Sequence, residues 1–469
     1  MLRRYEDLLA LPELSLVTVS DAVHRFYGDN HQPSWHDDRD ANPRPSPMPM
    51  RWHDLLARAR VPYAMTGSSW AELTGEIGRR PDLVLHPPTL WDDVCQNLIS
   101  ELVVAEGRQW LLRQEAMCRL LEHADAGPPA VHACVALADD PMVPVFITPL
   151  SLLDVTTEPG ANRYILDQLG SPHNELAHQG ALLATIRKLR AGHFRTDSEW
   201  QQLTASAQDL VADPGSDPTV RSLGGELFAG LARALPGRDG LLQRSAARHV
   251  GRQPVIWPDL SPAAAAVVKD VVDRARSLLP VEPADDDGVL ATLIAEAMHS
   301  PNSDQRLYAV MLIAATPYRR PVAMAVLTVA RRRLREWDPP LIASALRVLT
   351  LLKTPDHQEL VYRLLTDPAV SPPLRHAAAG ATPHWSARMD TRRWQRVLAV
   401  QRQRTKLAPS TLDVGILRAL TYGVATDGHH ELLRDIQAGP EDPSFPALAR
   451  MVAHWWLRLP PQLLHAAGS

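Results

Sequence analysis

Apolar residues recur through most of the chain at the three-to-four-residue spacing of an amphipathic helix. In residues 176–190 the leucines and Ile186 fall on one face, and basic residues fall on the other. The run 307–314 has the same pattern. The alternation typical of a strand is nearly confined to 143–147, where Pro144 interrupts it. The pattern therefore predicts an all-α fold.

Prolines stand between the helical segments, and many follow Asp, Ser or Thr directly. These side chains can accept hydrogen bonds from the free N–H groups of a first helical turn. Proline is tolerated at the first helical position because its missing N–H would be unused there. We therefore predict helix starts at Asp140-Pro141, Ser171-Pro172, Asp217-Pro218, Ser300-Pro301, Thr354-Pro355 and Asp367-Pro368.

The proline-marked units recur at intervals of roughly 40 residues, a length that fits a pair of helices. Segments 217–221 and 367–378 resemble the sequence pattern of HEAT repeats most closely. A helix pair cannot bury its apolar face alone, so stacking of neighbouring pairs supplies the core. We therefore predict an α-α superhelix of HEAT- or armadillo-like repeats, in two stacked arrays.

Stretches rich in proline and aspartate mark the expected boundaries between parts of the chain. We predict an N-terminal helical pair at 1–28, a linker at 29–50, an N-terminal repeat array at 51–250, a linker region at 251–288 and a C-terminal repeat array at 289–469.

Composition narrows the class of protein. The 469 residues are 45% hydrophobic, which is too apolar for wholesale disorder, and the net charge of −4 excludes a uniformly basic surface. Three cysteines form neither a disulfide framework nor a zinc-type pair. No run approaches the ~20 apolar residues of a membrane helix, and the N-terminus lacks the apolar core of a signal peptide. We expect a cytoplasmic protein.

Sequence motifs for catalysis are weak. Asp37, Asp38 and Asp40 have the look of a magnesium-binding cluster, and a magnesium-dependent α-helical enzyme is one alternative. Their proline-rich surroundings favour a solvated linker, because such a motif needs a helix to aim two carboxylates at the metal. Cys118 and Cys134 lie among apolar residues, which favours buried thiols over nucleophiles.

Other catalytic signatures are also missing. The histidine pairs lack HExxH spacing, and no GxSxG, Walker A or GxGxxG motif follows a strand. Asp285 to Asp287 are better explained as an acidic approach to a helix N-terminus. The sequence therefore predicts no catalytic residue, no metal ligand and no cofactor, and we expect a protein that is not an enzyme.

Two arginine-rich clusters are the candidate contact residues. Aligned along one groove, they would form a basic track for an acidic partner or a nucleic-acid backbone, with Trp385 and Trp394 available for stacking. The alternative is a pair of solvated helix faces. The first cluster is Arg331, Arg332, Arg333 and Arg335; the second is Arg392, Arg393, Trp394, Arg396, Arg402 and Arg404.

The N-terminus resembles a known family. Residues 3–12 read as a helix of the form RYE-x-LL-x-LP, and residues 14–27 read as a second helix. This sequence pattern resembles the closing helix of XRE-type helix-turn-helix modules in actinobacterial regulators. In those regulators the module precedes a long helical region, and residues 70–194 are similar to that region. The resemblance implies a transcriptional regulator whose helical part binds a protein or small molecule, or a second copy of itself.

The segment that would read DNA in such a regulator lies outside this chain, so no base-reading residue can be assigned. The remaining alternative is a HEAT-like nucleic-acid-binding protein, similar in style to the alkylated-DNA glycosylases built on such repeats. It would use the basic clusters, and its affinity would fall steeply with salt.

Overall fold

The computed structural model describes most of the chain, and the gaps fall mainly between helices. The described residues are 2–27, 51–140, 142–144, 147–212, 218–234, 260–279, 288–336, 338–352, 354–384, 388–407, 410–438 and 445–468. Within these ranges all regular secondary structure is helical. The predicted all-α class is therefore confirmed, and the helices pack in a manner consistent with a superhelix of helical repeats.

Contacts divide the chain into two compact units. Unit 1 comprises Met1–Phe26 and Trp257–Leu459, and unit 2 comprises Tyr27–Ile256 and Pro460–Ser469. The division after Ile256 falls inside the region predicted as the second linker. The terminal segments are exchanged relative to the predicted order, since the first helices group with the C-terminal array and the last residues with the N-terminal one.

Helices α1 and α2 at the N-terminus group with unit 1, and helices α3 to α12 belong to unit 2. The N-terminal helices are α1 Leu2–Leu8 and α2 Ser15–Tyr27. The helices that follow are α3 Trp52–Ala59, α4 Gly67–Gly78, α5 Leu90–Leu102, α6 Gly107–Glu122, α7 Gly127–Asp139, α8 Ile147–Ser151, α9 Pro159–Gly170, α10 Glu175–Arg190, α11 Asp197–Ala212 and α12 Pro218–Ala234.

The remaining helices belong to unit 1, except for the last. They are α13 Pro262–Ser277, α14 Val289–His299, α15 Ser303–Ala314, α16 Arg319–Glu336, α17 Pro339–Leu352, α18 Gln358–Thr366, α19 Pro372–Ala381, α20 Thr391–Leu407, α21 Thr411–Thr426, α22 His430–Ala438, α23 Ala447–Arg458 and α24 Pro461–Gly468. Helix α13 lies inside the segment 251–288, which therefore contains a four-turn helix where the sequence predicted a linker.

Unit 1 contains five packed pairs of helices that follow one another in the chain. The pairs are α14 with α15, α16 with α17, α18 with α19, α20 with α21, and α22 with α23. The second helices of these pairs also pack against one another in chain order, so that α15, α17, α19, α21 and α23 form one continuous stack. We call these five helices the second-helix stack. Each pair buries its apolar face against its neighbours, as the repeat pattern requires.

Unit 2 is held by a large apolar core between successive helices. Helix α4 packs on α6, α5 on α7, α8 on α10, and α10 on α12. Trp70 and Trp91 are among the largest fully buried side chains of this core. Helix α24, from the end of the chain, packs against α5 and α6, and Ala466 accepts a hydrogen bond from Arg113 on α6.

The two N-terminal helices are joined by one buried carboxylate. Glu6 on α1 is 2% exposed and accepts hydrogen bonds from the backbone N–H groups of Leu14, Leu16 and Val17 at the start of α2. The free N–H groups of the second helix are thus satisfied by a side chain of the first. Helices are found where the sequence placed them, on either side of Pro12.

The predicted helix starts are only partly confirmed. Pro218 is the first residue of α12, and Pro355 begins a short 3₁₀ turn that leads into α18. The helix after Ser171 begins three residues later than predicted and the helix after Ser300 two residues later, because Asn174 and Asn302 supply the capping oxygens.

The other two predicted starts have different outcomes. The pair Asp367-Pro368 forms a turn, and α19 begins at Pro372. Pro141, Asp37 to Asp40, Asp285 to Asp287 and Trp385 all lie outside the described residues.

Candidate functional site

The first predicted arginine cluster lies on α16, a first helix of its pair. Arg331 and Arg332 are exposed, and Arg333 is partly buried. The Arg332 guanidinium lies 2.9 Å from Oδ2 of Asp270 on α13, in an ion pair that the sequence did not predict. Arg335 also lies in α16, but its side chain is outside the described part of the chain. This cluster is thus partly neutralised by its own fold.

The second predicted cluster lies on α20, also a first helix. Arg393 forms ion pairs with Glu359 at 3.1 Å and Asp390 at 3.4 Å, and its guanidinium lies 5.0 Å from the ring centre of Tyr362. Arg392 and Arg396 are exposed. Part of the positive charge that was predicted to contact a partner, that of Arg393, is therefore already paired with acidic groups of unit 1.

Arginines in the C-terminal half of α20 also contact other residues of unit 1. Arg402 lies over the ring of Phe445, with 4.7 Å from its guanidinium carbon to the ring centre. Arg404 donates hydrogen bonds to the backbone carbonyls of Leu365 and Asp367.

Trp394 corrects one part of the prediction. It is completely buried, and its indole Nε1 donates a 2.8 Å hydrogen bond to Oδ2 of Asp427. A buried indole cannot stack on a base, so the proposed stacking role of Trp394 is wrong. The sequence pattern of arginines around it did not show that this residue points into the core.

A different set of arginines lies on the second-helix stack. Each of its five helices carries at least one arginine, and the only carboxylates on them are Asp304 and Asp413, which are 2% and 7% exposed. The arginines are Arg306, Arg347, Arg375, Arg418, Arg450 and Arg458. Sequence analysis missed them because each is isolated in the chain. Their recurrence on every second helix is the signal that could have identified them.

Three basic side chains lie close together at the start of this stack: Arg306, Arg347 and His299. Burial lowers the pKa of Arg347 on α17, and the nearby charge of Arg306 on α15 lowers it further. Burial also lowers the pKa of His299 at the end of α14, with a second contribution from Arg347. Arg306 donates to the carbonyl of Ser300 at 2.6 Å, and Arg347 donates to Oγ of Ser344 at 2.7 Å.

A second pair of neighbouring basic side chains consists of Arg375 on α19 and Arg404 on α20. Arg375 is 7% exposed, and its Nε is buried with no hydrogen-bond acceptor among the described residues. Burial lowers the pKa of Arg404, the charge of Arg375 lowers it further, and Asp413 and Asp367 oppose these effects. The Asp413 carboxylate accepts hydrogen bonds from Gln401 at 2.8 Å and Ser410 at 2.5 Å.

Unit 2 contains a buried ionic cluster. Arg113 and Glu101 are both fully buried, with 3.0 Å between Nε and Oε2, and the indole of Trp70 donates to the same oxygen at 2.8 Å. Burial raises the pKa of Glu101, while Arg113 and these hydrogen bonds oppose the rise. The arrangement links α4, α5 and α6 and leaves no surface for a substrate.

Lys188 is a second buried charge in unit 2. It is fully buried on α10, and burial lowers its pKa to about 8, against the opposing charges of Asp154 and Glu199. A lysine with a lowered pKa can act as a catalytic base or nucleophile. Here the ammonium donates to the carbonyl oxygen of Thr156 and is not exposed, so it ties α10 to the loop before α9.

The remaining candidate groups are the cysteines and the possible metal ligands. All three cysteines are buried, as predicted for Cys118 and Cys134. Among the residues that the structure describes, no three His, Cys, Asp or Glu side chains lie together in a way that could hold a metal ion. Nor does any helix within those ranges have the length and apolar character needed to cross a membrane.

Comparisons with protein-family models, with curated proteins and with solved structures found no match for this chain.

Proposed function

We propose that this chain is a non-enzymatic, HEAT-like helical-repeat protein whose second-helix stack in unit 1 binds an acidic protein partner. The observation that supports the proposal most directly is the crowding of Arg306 and Arg347 on adjacent second helices, with buried carboxylates as the only acidic groups on the stack. Like charges held close together leave a positive surface that an anionic partner would neutralise.

The charge distribution favours an acidic protein over a nucleic acid. The clusters on α16 and α20 that would extend the basic surface are partly engaged by Asp270, Glu359 and Asp390. Trp394 is buried and provides no stacking surface. The chain as a whole carries a net charge of −4, so a long phosphate backbone would meet repulsion beyond the stack.

The binding test uses the full chain and fluorescein-labelled poly-L-glutamate, followed by fluorescence anisotropy at two salt concentrations. The double variant Arg306→Ala/Arg347→Ala should weaken binding about tenfold or more, which corresponds to about 1.4 kcal/mol. The matched control Arg392→Ala/Arg396→Ala removes the same charge from exposed positions of α20 and should change the affinity less than twofold.

Two results would contradict the proposal. Equal weakening by both double variants would mean that poly-glutamate responds to net charge alone. Tighter binding of a labelled DNA duplex than of poly-glutamate, with the same dependence on Arg306 and Arg347, would assign the stack to nucleic acid instead.

We further propose a regulatory role in a bacterial cell, which rests on the resemblance of residues 3–12 to the end of an XRE-type module. The test is RNA sequencing of a host strain from which the gene has been deleted. Transcript levels should change, the wild-type gene should restore them, and a gene that encodes Arg306→Ala/Arg347→Ala should not. Unchanged transcripts in the deletion strain would remove the regulatory role and leave the binding proposal to its own test.

A further inference from the structure

Arg375 is an unusual residue for the interior of a helical repeat. It lies one turn into α19 and is 7% exposed, yet its Nε has no acceptor among the described residues. A buried donor without an acceptor is unfavourable, and buried charges are normally paired. An apolar side chain at this position would avoid that cost.

The neighbours of Arg375 add to this imbalance. Arg404 on α20 lies close enough for the two positive charges to oppose each other, and it binds only backbone carbonyls, those of Leu365 and Asp367. Asp413 is the nearby compensating carboxylate, but both of its oxygens accept hydrogen bonds from other side chains. Thus, within the described ranges of the chain, neither arginine has a carboxylate as a hydrogen-bond partner.

We propose that Arg375 and Arg404 form a binding site for a single small oxyanion. The planar guanidinium presents paired N–H groups that match the oxygens of a phosphate or a carboxylate. A bound oxyanion would accept the hydrogen bonds that Arg375 now lacks and would neutralise the repulsion between the two arginines. Loss of the site therefore has an expected signature: binding should fall while the stability of the free protein does not.

Arg375 lies on the second-helix stack, but its test is separate from the test of the partner-binding proposal. That test depends on Arg306, two helix pairs away along the stack, and on Arg347 in the adjacent pair, and it concerns an extended acidic partner. The oxyanion site concerns one charged group beside α19 and α20. Either can fail without the other, because the two tests use different probes and different variants.

The test is differential scanning calorimetry of the full chain in Tris chloride, with sodium phosphate, sodium sulfate or sodium glutarate added at constant ionic strength. At an anion concentration about ten times the dissociation constant, the melting temperature should rise by about 3 °C. The variant Arg375→Met should lose this rise and should melt, without added anion, at or above the wild-type temperature. The variant Arg404→Gln should also lose the rise.

The control Arg396→Gln removes an exposed charge from the same helix as Arg404 and should keep the full response. A rise with phosphate and sulfate alone identifies a tetrahedral oxyanion such as a phosphoryl group; a rise with glutarate as well identifies a carboxylate. The proposal is overturned by the absence of any anion response in the wild type, by a response that persists in both Arg375→Met and Arg404→Gln, or by a clear loss of stability in Arg375→Met without anion.

Discussion

Trp394 on α20 and Asp427, the residue directly after α21, share a 2.8 Å hydrogen bond between the indole Nε1 and Oδ2. The same oxygen accepts the backbone N–H of Met389 at 2.9 Å. Unit 2 has a corresponding contact, because the indole of buried Trp70 donates to buried Glu101 at 2.8 Å. In each unit a large aromatic side chain is placed in the core, and its one polar atom is satisfied by a carboxylate more than thirty residues away.

Replacement of this acceptor should destabilise unit 1. Asp427→Ala leaves Trp394 Nε1 and the Met389 N–H buried without their acceptor, and we expect a loss of about 2–4 kcal/mol in the free energy of unfolding. Asp427→Asn keeps an acceptor oxygen and should lose about half as much. Urea unfolding measures both, and Asp435→Ala on the exposed face of α22 is the control. An equal effect of Asp427→Ala and Asp435→Ala would contradict this role.

The sequence predicted the helical class because the apolar period and the prolines agree, but capping residues fixed the boundaries. Asn174 accepts from the N–H groups of Leu176 and Ala177, which moves the start of α10 beyond the Ser171-Pro172 pair. Both Ser and Asn are good caps, and only the packed structure decides between two candidates three residues apart.

The candidate site was much harder to predict than the fold. Runs of arginine are conspicuous in a sequence, yet Arg393 is engaged by Glu359 and Asp390 once the helices pack. Arg347 and Arg375 stand alone in apolar helices, so no local pattern marks them. Their relation to other charges depends on which helix faces meet, which is a property of the superhelix and not of any short segment.

The close approach of α8 to α10 depends on Gly180. A Cβ at this position would lie 2.8 Å from the Cβ of Leu150 and 3.0 Å from the carbonyl oxygen of Ile147, and backbone cannot yield as a flexible side chain can. We expect Gly180→Ala to lower the free energy of unfolding by about 1–3 kcal/mol. Gly225→Ala on α12 meets nothing within 4 Å and should raise it by about 0.5–1 kcal/mol. Thermal unfolding of both variants checks the contrast, and a stabilising Gly180→Ala would refute the close contact.

The thiols should be unreactive in the folded protein. Burial raises the pKa of Cys134 to about 12, and burial together with the nearby Cys134 and Asp92 raises the pKa of Cys95. Cys118 is buried as well. Because the thiolate is the reactive form, titration with Ellman's reagent at pH 8 should find almost no fast thiol in the native protein and three in 6 M guanidinium chloride. A single fast native thiol would show that one of these sites opens to solvent.

Lys188 should give unit 2 a distinct dependence on pH. Its folded pKa of about 8 lies below the ordinary value of 10.5, so between these values the unfolded chain binds more protons than the folded one. The free energy of unfolding should therefore rise with pH across this window, by roughly 3 kcal/mol relative to a Lys188→Met variant. Urea titrations at pH 7.5, 9 and 10.5 measure the difference. Lys269→Met is the control, because the contact of that exposed lysine with Asp273 raises its pKa. If the free energy of unfolding changed with pH in the same way in the wild type and in Lys188→Met, the buried amine would not titrate as proposed.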